Sequence, residues 1–429
     1  HADAIHPGYG FLSENATFAR RCQEENIIFI GPDPETMEAM GDKISARIKM
    51  IEAGVPVVPG TQENLKSVEE AVELCNKIGY PVMLKASMGG GGKGMRLIHS
   101  AEEVEEAYTT AKSESLSSFG DDTVYLEKFV EEPHHIEFQI LGDKHGNVIH
   151  LCERECSVQR RNQKIVEETP SVFVTPELRK DMGEKAVAAA KAVNYIGAGT
   201  IEFLVDKHRN YYFLEMNTRL QVEHPITEEV VGVDLVKEQI KVADGQVLQL
   251  KQKDIQQRGH AIECRICAED TEMNFMPSPG IKQITEPNGI GVRIDSYVYE
   301  GYEIPIYYDP MIGKLIVWAT NREYAIERMR RVLHEYKLTG VKNNISYLRA
   351  IMDTPDFVEG HYDTGFITKN GEHLQQCIMR TSERAENIAM IAAYMDYLMN
   401  LEENRGDATD NRPISKWKEF GLHKGVLRI

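Results

Sequence analysis

Between residues 199 and 217 the sequence allows little other than one antiparallel hairpin. Gly199-Thr200-Ile201-Glu202-Phe203-Leu204-Val205-Asp206 and Tyr211-Tyr212-Phe213-Leu214-Glu215-Met216-Asn217 are rich in β-branched and aromatic residues, and the polar run Lys207-His208-Arg209-Asn210 separates them. A four-residue turn at 207–210 pairs Asp206 with Tyr211. Counting outward, Glu202 then stands opposite Glu215 on one face of the ladder. Two carboxylates with Cβ atoms about 5 Å apart repel each other. A divalent cation between them removes that cost, and Asn217, on the same face, adds a third oxygen ligand. Hard oxygen donors suit Mg²⁺ or Mn²⁺, the ions that bridge nucleotide phosphates. A register slip of one residue would instead turn one Glu to solvent.

Gly89-Gly90-Gly91-Gly92-Lys93-Gly94 satisfies GxGxxG, yet a strand-like run, Met95 to Ile98, follows it where a dinucleotide fold needs a helix. Nor is it a Walker A loop, because Gly94 follows Lys93. The remaining reading is a glycine flap between two strands, able to lay backbone N–H groups over phosphates. Lys85 in the preceding strand and Lys43 in Met40-Gly41-Asp42-Lys43 add positive charge, and the plain alternative is a surface hairpin without a ligand.

A net charge of −18 argues against a general nucleic-acid binder. The most basic stretch, Ser157-Val158-Gln159-Arg160-Arg161-Asn162-Gln163-Lys164, is short, lacks interleaved aromatics and runs into Glu167-Glu168, which favours an anion site within the fold. Arg219, Gln221, Glu223 and His224, just after the hairpin, are placed to hold a second, anionic substrate beside the γ-phosphate.

A length of 429 residues suggests roughly two to four domains of about 100–200 residues each. Seven scattered cysteines do not make a disulfide framework, and the CxxC pair Cys264 and Cys267 falls in an extended run, which favours buried structural thiols and a reducing compartment. No apolar run approaches the roughly 20 residues needed to span a bilayer, and no leader pattern is seen. His1 falls within a strand or loop, so a preceding stretch is expected to have been removed. Helices are expected at 41–54, 68–79, 176–194, 233–243, 321–337 and 343–352. The tail reads as a helix from Ser382, its N-cap, to Asn404, with an apolar stripe of Ile391, Tyr394, Met395, Leu398 and Leu401. A second cluster, Trp417, Phe420, Leu422, Val426 and Leu427, follows a polar linker.

His6-Pro7-Gly8-Tyr9-Gly10-Phe11-Leu12-Ser13-Glu14-Asn15, Met40 to Lys43, Gly89 to Met95, Glu153 to Lys164, Phe203 to Pro225 and Tyr308-Asp309-Pro310-Met311-Ile312-Gly313-Lys314-Leu315 follow in one order. Over residues 1 to about 370 these motifs resemble the ATP-grasp ligases, and within them the biotin carboxylases. The resemblance implies an α/β (α+β) ATP-grasp fold: a truncated Rossmann-like N-terminal domain (1–40), an ATP-grasp domain (41–250) with a mobile glycine-loop lid at about 58–130, and a biotin carboxylase C-terminal domain (258–370). The helical tail (382–429) lies beyond the match, and its apolar stripe and aromatic anchors read either as packing on the enzyme's own surface or as a dock for a partner subunit. It implies ATP, Mg²⁺ or Mn²⁺, and biotin on a separate carrier. At matching positions Lys43, Lys85 and His135 would contact phosphate or ribose, with Gln159 and Asn162 near the nucleotide. Glu127, Lys128, Val130 and Leu204 would frame the adenine. Glu202, Glu215 and Asn217 would hold metal. Lys164, Arg219, Gln221, Val222 and Glu223 would hold bicarbonate, with Glu223 as base, while Arg293 and Tyr9 would meet the ureido ring of biotin. At Asn162 many relatives carry His, so altered nucleotide affinity is expected.

The implied partners are bicarbonate, a biotin carboxyl carrier protein or domain and a carboxyltransferase subunit, with a homodimer, no nucleic acid and no membrane. The implied location is cytoplasmic, or the mitochondrial matrix in a eukaryote. Two rival readings stand beside this one: another acyl-phosphate ligase of carbamoyl-phosphate type, and an inactive binding subunit. The HPGYGFLSEN run and Glu215 to Pro225 count against the first, and the filled site positions against the second.

Overall fold

The computed structural model describes residues 2–405, apart from 62, 88–94, 272, 274, 278, 279, 282 and 306. It divides into two compact units, residues 1–374 and 375–429. The first is built on an eight-stranded antiparallel sheet in the order Tyr211–Asn217, Gly197–Val205, His134–Gly142, Val148–Arg160, Gln163–Thr169, His260–Cys267, Met311–Ala319, Val292–Ser296. The strand His134–Gly142 is buried along its whole length. Ile136, Phe138 and Ile140 pack with Met182, Ala186 and Ala189 of the helix Pro176–Ala192 and with Met50 of the helix Lys43–Glu52. The small alanines let that helix lie close on the sheet. The alternate residues Glu137 and Gln139 face the other side, where strand periodicity puts them.

A separate three-stranded sheet, Met95–Ile98, Val82–Ala86 and Val124–Lys128, packs with the helices Val68–Ile78 and Val104–Phe119 around Val82, Leu84, Ile98 and Leu126. Lys85 pairs with Met95, so the strands flanking the glycine run form a hairpin. Gly89 to Gly94, with Lys93, lie outside the described residues.

The 197–217 hairpin reaches its expected face by an unexpected route. Val205, rather than Asp206, pairs with Tyr211. Asp206 belongs to the turn, where its carboxylate accepts from the backbone N–H groups of His208 and Asn210 at 2.8 and 2.9 Å. That register alone would set Glu202 opposite Leu214. A bulge between Phe213 and Glu215 absorbs one residue, so Glu215 pairs with Glu202 after all.

Cys22, Cys75, Cys152, Cys156, Cys264 and Cys267 are free and buried, the last two on the strand His260–Cys267. The last described helix runs Gly371–Arg405. It does not begin at Ser382, because residues 372–381 hold neither proline nor glycine and nothing interrupts the helix. Ile391, Tyr394, Met395 and Leu398 are exposed along it, and the cluster from Trp417 onward lies outside the described residues. Among the described residues no helix is long and apolar enough to cross a membrane.

Candidate active site

A cleft of about 940 Å³ opens over the polar face of the eight-stranded sheet. Lys164, on the strand Gln163–Thr169, sits at its floor. Its Nζ donates to Glu202 and Glu223 at 2.8 Å each and also to Glu137. Glu202 is bonded further by Asn217 Nδ2 at 2.9 Å and Gln221 Nε2 at 3.3 Å. His135 Nε2 lies 3.0 Å from Glu202 Oε2, close enough for charge pairing but off the line of a hydrogen bond. Burial acts to raise the Glu202 carboxyl, but Lys164 and His135 outweigh it and hold it far below the usual carboxylate range. Glu215 shows the opposite balance: burial and the facing Glu202 push it up. The hairpin thus presents one firmly ionised carboxylate and one whose ionisation burial and the facing Glu202 oppose, flanked by the Asn217 amide.

One side of the cleft lies against the three-stranded sheet. Lys85 Nζ pairs with Glu127 Oε2 at 2.6 Å, and Arg47 holds the other oxygen at 3.2 Å. Lys43 opens the helix Lys43–Glu52, where Asp42 caps the backbone. Burial lowers the Lys43 ammonium. Lys128 donates to the carbonyls of Gly79 and Tyr80 at 2.7 and 2.9 Å. Gln159 Nε2 meets His135 Nδ1 at 3.0 Å and so fixes the imidazole. Arg161 and Asn162 both have positive φ, at 52° and 63°, between strands that pair Arg160 with Gln163. This is the backbone of a two-residue hairpin turn, which Asn tolerates well.

Across the cleft from the hairpin, Glu223 is fully buried at the start of the helix His224–Val231. Burial would raise its carboxyl, but Lys164, Arg265 and Arg154 hold it well below the ordinary range. Arg219 is tied to Glu14 at 2.9 Å and to Gln221 Oε1 at 2.9 Å, so the N-terminal segment helps to aim it. Lys314 Nζ stands 5.6 Å from the centroid of the Tyr9 ring and donates to the Val222 carbonyl at 2.9 Å.

The cleft brings together Tyr9, Lys43, Lys85, Glu127, Lys128, Val130, His135, Gln159, Asn162, Lys164, Glu202, Leu204, Glu215, Asn217, Arg219, Gln221, Val222 and Glu223. Arg293 is not among its lining residues. It lies on the edge strand, bonded to Glu228 at 2.7 Å and Asp295 at 2.8 Å. In its place Arg265 reaches in from the strand His260–Cys267, donating to Glu223 Oε2 at 3.0 Å and Glu167 Oε1 at 2.7 Å. Arg265 and Glu137 lie outside the motifs, and Arg154, though inside the Glu153 to Lys164 run, carries no expected role there. The available signal was an alternation of charged residues, Glu263 and Arg265, within an apolar strand.

Cations above opposed carboxylates, in a nucleotide-sized cleft between a large antiparallel sheet and a smaller one, define an ATP-dependent ligase of the ATP-grasp type. The Biotin carboxylase, N-terminal domain family matches residues 1–37, the Carbamoyl-phosphate synthase L chain, ATP binding domain family residues 42–251, and the Biotin carboxylase C-terminal domain family residues 263–369. The middle match is common ground with the carbamoyl-phosphate reading, and the flanking two decide against it. The chain is 55% identical to the biotin carboxylase of a Nostoc species, over 86% of this chain and 82% of that one. It is 53% identical to the mitochondrial propionyl-CoA carboxylase alpha chain of Sus scrofa, over 86% of this chain and 51% of that one. The biotin carboxylase domain dimer of Hydrogenobacter thermophilus 2-oxoglutarate carboxylase, solved with MgADP, ADP and bicarbonate, superposes with a TM-score of 0.84 at 51% identity, covering 87% of this chain and 83% of that one. The chain belongs to the biotin carboxylase family.

Proposed function

We propose that this chain catalyses the first half-reaction of a biotin-dependent acyl-CoA carboxylase, using ATP and bicarbonate to carboxylate N1 of a biotin carried on another protein or domain. The observation that carries this reading is the Lys164 ammonium, which joins Glu202 of the metal-binding hairpin to Glu223 of the bicarbonate side at 2.8 Å each. The oxygen-only set of Glu202, Glu215 and Asn217 fits Mg²⁺, and the raised Glu215 carboxyl is what an awaiting cation site shows. Bound Mg²⁺ supplies charge neutralisation at the phosphates.

Glu223 takes the proton of bicarbonate as Lys164 and Arg265 turn toward the incoming anions and release their hold on it. The bicarbonate oxygen attacks the γ-phosphorus and ADP leaves. Lys43, Lys85 and His135 hold the phosphates in line. The resulting carboxyphosphate breaks into CO₂ and phosphate, and the phosphate removes the N1 proton of biotin. Arg265, in the role first expected of Arg293, stabilises the charge that develops on the ureido oxygen. N1 then attacks CO₂.

The biotin carrier and a carboxyltransferase are the partners, and the homodimer follows the dimeric neighbour. The helix Gly371–Arg405 and the chain after it form their dock, so deleting 382–429 should leave free-biotin carboxylation intact while abolishing co-purification. Six free, buried cysteines favour a reducing compartment, the cytoplasm or the mitochondrial matrix. The final acyl acceptor is chosen elsewhere, since relatives of this cleft serve propionyl-CoA and 2-oxoglutarate carboxylases. The deciding assay measures bicarbonate-dependent ADP release with and without free biotin. Stimulation by biotin is expected, and stimulation by ammonia instead would point to the carbamoyl-phosphate chemistry.

A further inference from the structure

Beneath the helix His224–Val231 lie two carboxyl groups to which the mechanism gives no task. Glu167 and Glu263 are paired residues on adjacent antiparallel strands, so both side chains leave the same face of the sheet. Both are completely buried. Glu167 Oε1 accepts from Arg265 Nε at 2.7 Å. Glu167 Oε2 and both oxygens of Glu263 have no hydrogen-bond partner among the described residues. Two bare carboxylates this close, with three unpaired oxygens in a solvent-free interior, are a costly arrangement.

The surrounding charges do not offset it. From the same strand Arg265 is divided between Glu167 and Glu223. From the neighbouring strand Lys314 gives its hydrogen bond to the Val222 carbonyl and faces Asp295 at 3.4 Å. From the covering helix come the buried Glu223, already an anion, and His224, which burial and Lys314 lower to about 3, so that it is neutral. Cys264 lies between Glu263 and Arg265 in the chain, and burial and both acids hold it as a thiol. Lys164 also faces Glu167 and Glu223, and Arg154 faces Glu223, but Lys164 is bonded to Glu137, Glu202 and Glu223 and Arg154 to Glu137, so Glu167 and Glu263 are left with one shared guanidinium in contact and an ammonium, Lys314, bonded elsewhere.

We propose that Glu167 and Glu263 hold one proton between them and act as a positioning pair that keeps the Arg265 guanidinium beside Glu223. With one negative charge on the pair, Arg265 can bridge to Glu223 and face the biotin. With two, the guanidinium is drawn down into the sheet and away from the cleft. The direction of the carboxyl shifts agrees: burial, opposed by Arg265, leaves Glu167 raised to about 7, and burial carries Glu263 well above the ordinary range. This inference rests on Glu223 as base and Arg265 as the biotin-side cation. It adds an alkaline limit on biotin carboxylation that originates behind the cleft.

The test uses the full chain with free biotin. The pH profile of kcat/KM for biotin is measured for wild type and Glu263→Gln, which keeps the shape and neutrality of the protonated acid. Infrared difference spectra of the two proteins are recorded at neutral pH. The expected result is neutral-pH activity within about threefold of wild type, an alkaline limb moved up by about one pH unit or more, and a protonated-carboxyl band present only in wild type. A folded Glu263→Gln protein with an unmoved alkaline limb overturns the proposal, as does a tenfold loss at neutral pH that Glu263→Asp restores. If Glu263→Gln does not fold, the same spectrum taken against Glu167→Gln decides: a band lost in that variant supports the shared proton, and no band in wild type refutes it. Arg265→Lys separates the two readings. An unchanged KM for biotin in that variant would remove Arg265 from the biotin site while leaving the infrared result to stand or fall alone.

Discussion

Lys164 Nζ stands 2.8 Å from Glu223 Oε1, and it lies equally close to Glu202, so a single ammonium ties Glu223 to the hairpin of opposed carboxylates. Replacing it with Gln leaves Glu137, Glu202 and Glu223 buried around a neutral amide. Removing one partner of such a network costs roughly 3–5 kcal/mol. Lys164→Gln should lower bicarbonate-dependent ADP release by about 10²-fold or more and reduce the melting temperature. Release within tenfold of wild type would show that the three carboxylates do not depend on this cation.

The two hairpin carboxylates should respond differently to neutralisation. Glu215, raised by burial and by Glu202, spends stability on repulsion when no cation is present. Glu215→Gln should therefore raise the melting temperature in the presence of a chelator, remove the stabilisation by MgATP, and lower ATP turnover about 10²-fold. Glu202→Gln should lower turnover comparably without the gain in stability, because Glu202 already pairs with Lys164 and His135. Differential scanning calorimetry with and without Mg²⁺ distinguishes the two. Equal melting behaviour would contradict the opposed-carboxylate account.

Arg265 and Arg293 provide a comparison within one sheet. Arg265→Gln should depress biotin carboxylation at least tenfold, whereas Arg293→Gln, which breaks partly exposed contacts to Glu228 and Asp295 outside the cleft lining, should stay within about threefold. Steady-state kinetics with free biotin measures both. The reverse ranking would return the ureido oxygen to Arg293.

Glu168 ties the sheet to the C-terminal helices. Arg322 donates to it at 2.7 and 3.0 Å, His260 lies at 2.6 Å, and the Tyr362 hydroxyl completes the set. Burial opposes ionisation, but Arg322 and His260 prevail and lower the carboxyl from 4.5 to about 2. A depressed carboxyl contributes stability that is fully present above its unfolded value and is lost as pH falls through the folded one. The contribution, about 3 kcal/mol, should thus be present at pH 5 and above and disappear between about pH 4.5 and 2. Glu168→Gln should lose it at neutral pH and flatten that acid limb in urea titrations. An acid limb as steep as that of wild type would assign the acid sensitivity to other groups.

How far the sequence discloses the site depends on where each residue lies in the chain. Glu202, Glu215 and Asn217 are readable because strand alternation places them on one face. A four-residue turn predicts that face, yet the hairpin reaches it through two departures that cancel, the Asp206 turn and the Leu214 bulge. Bulges leave no composition mark. Residues Arg219 to Glu223 follow directly in sequence and were readable for that reason. Arg265 was hidden because its partners Glu167 and Glu223 are 98 and 42 residues away, brought together by strand order alone. The helix start at Ser382 failed for a local reason: a serine caps a helix only where the preceding backbone has a cause to stop, and here it has none.

An acidic chain holding a polyanion shows that binding depends on the local field. At physiological ionic strength a charge is screened beyond about 8 Å. On the proposed function, ATP in the cleft would respond to the cations that line it, Lys43, Lys85, Lys164 and Arg265, and hardly at all to the distant surface carboxylates behind the net charge of −18. The exterior is left free to serve colloidal stability, since copies of the chain repel one another at a distance. Neutralising surface glutamates would then change solubility and leave nucleotide affinity where it was, so that evolution can adjust the one without disturbing the other.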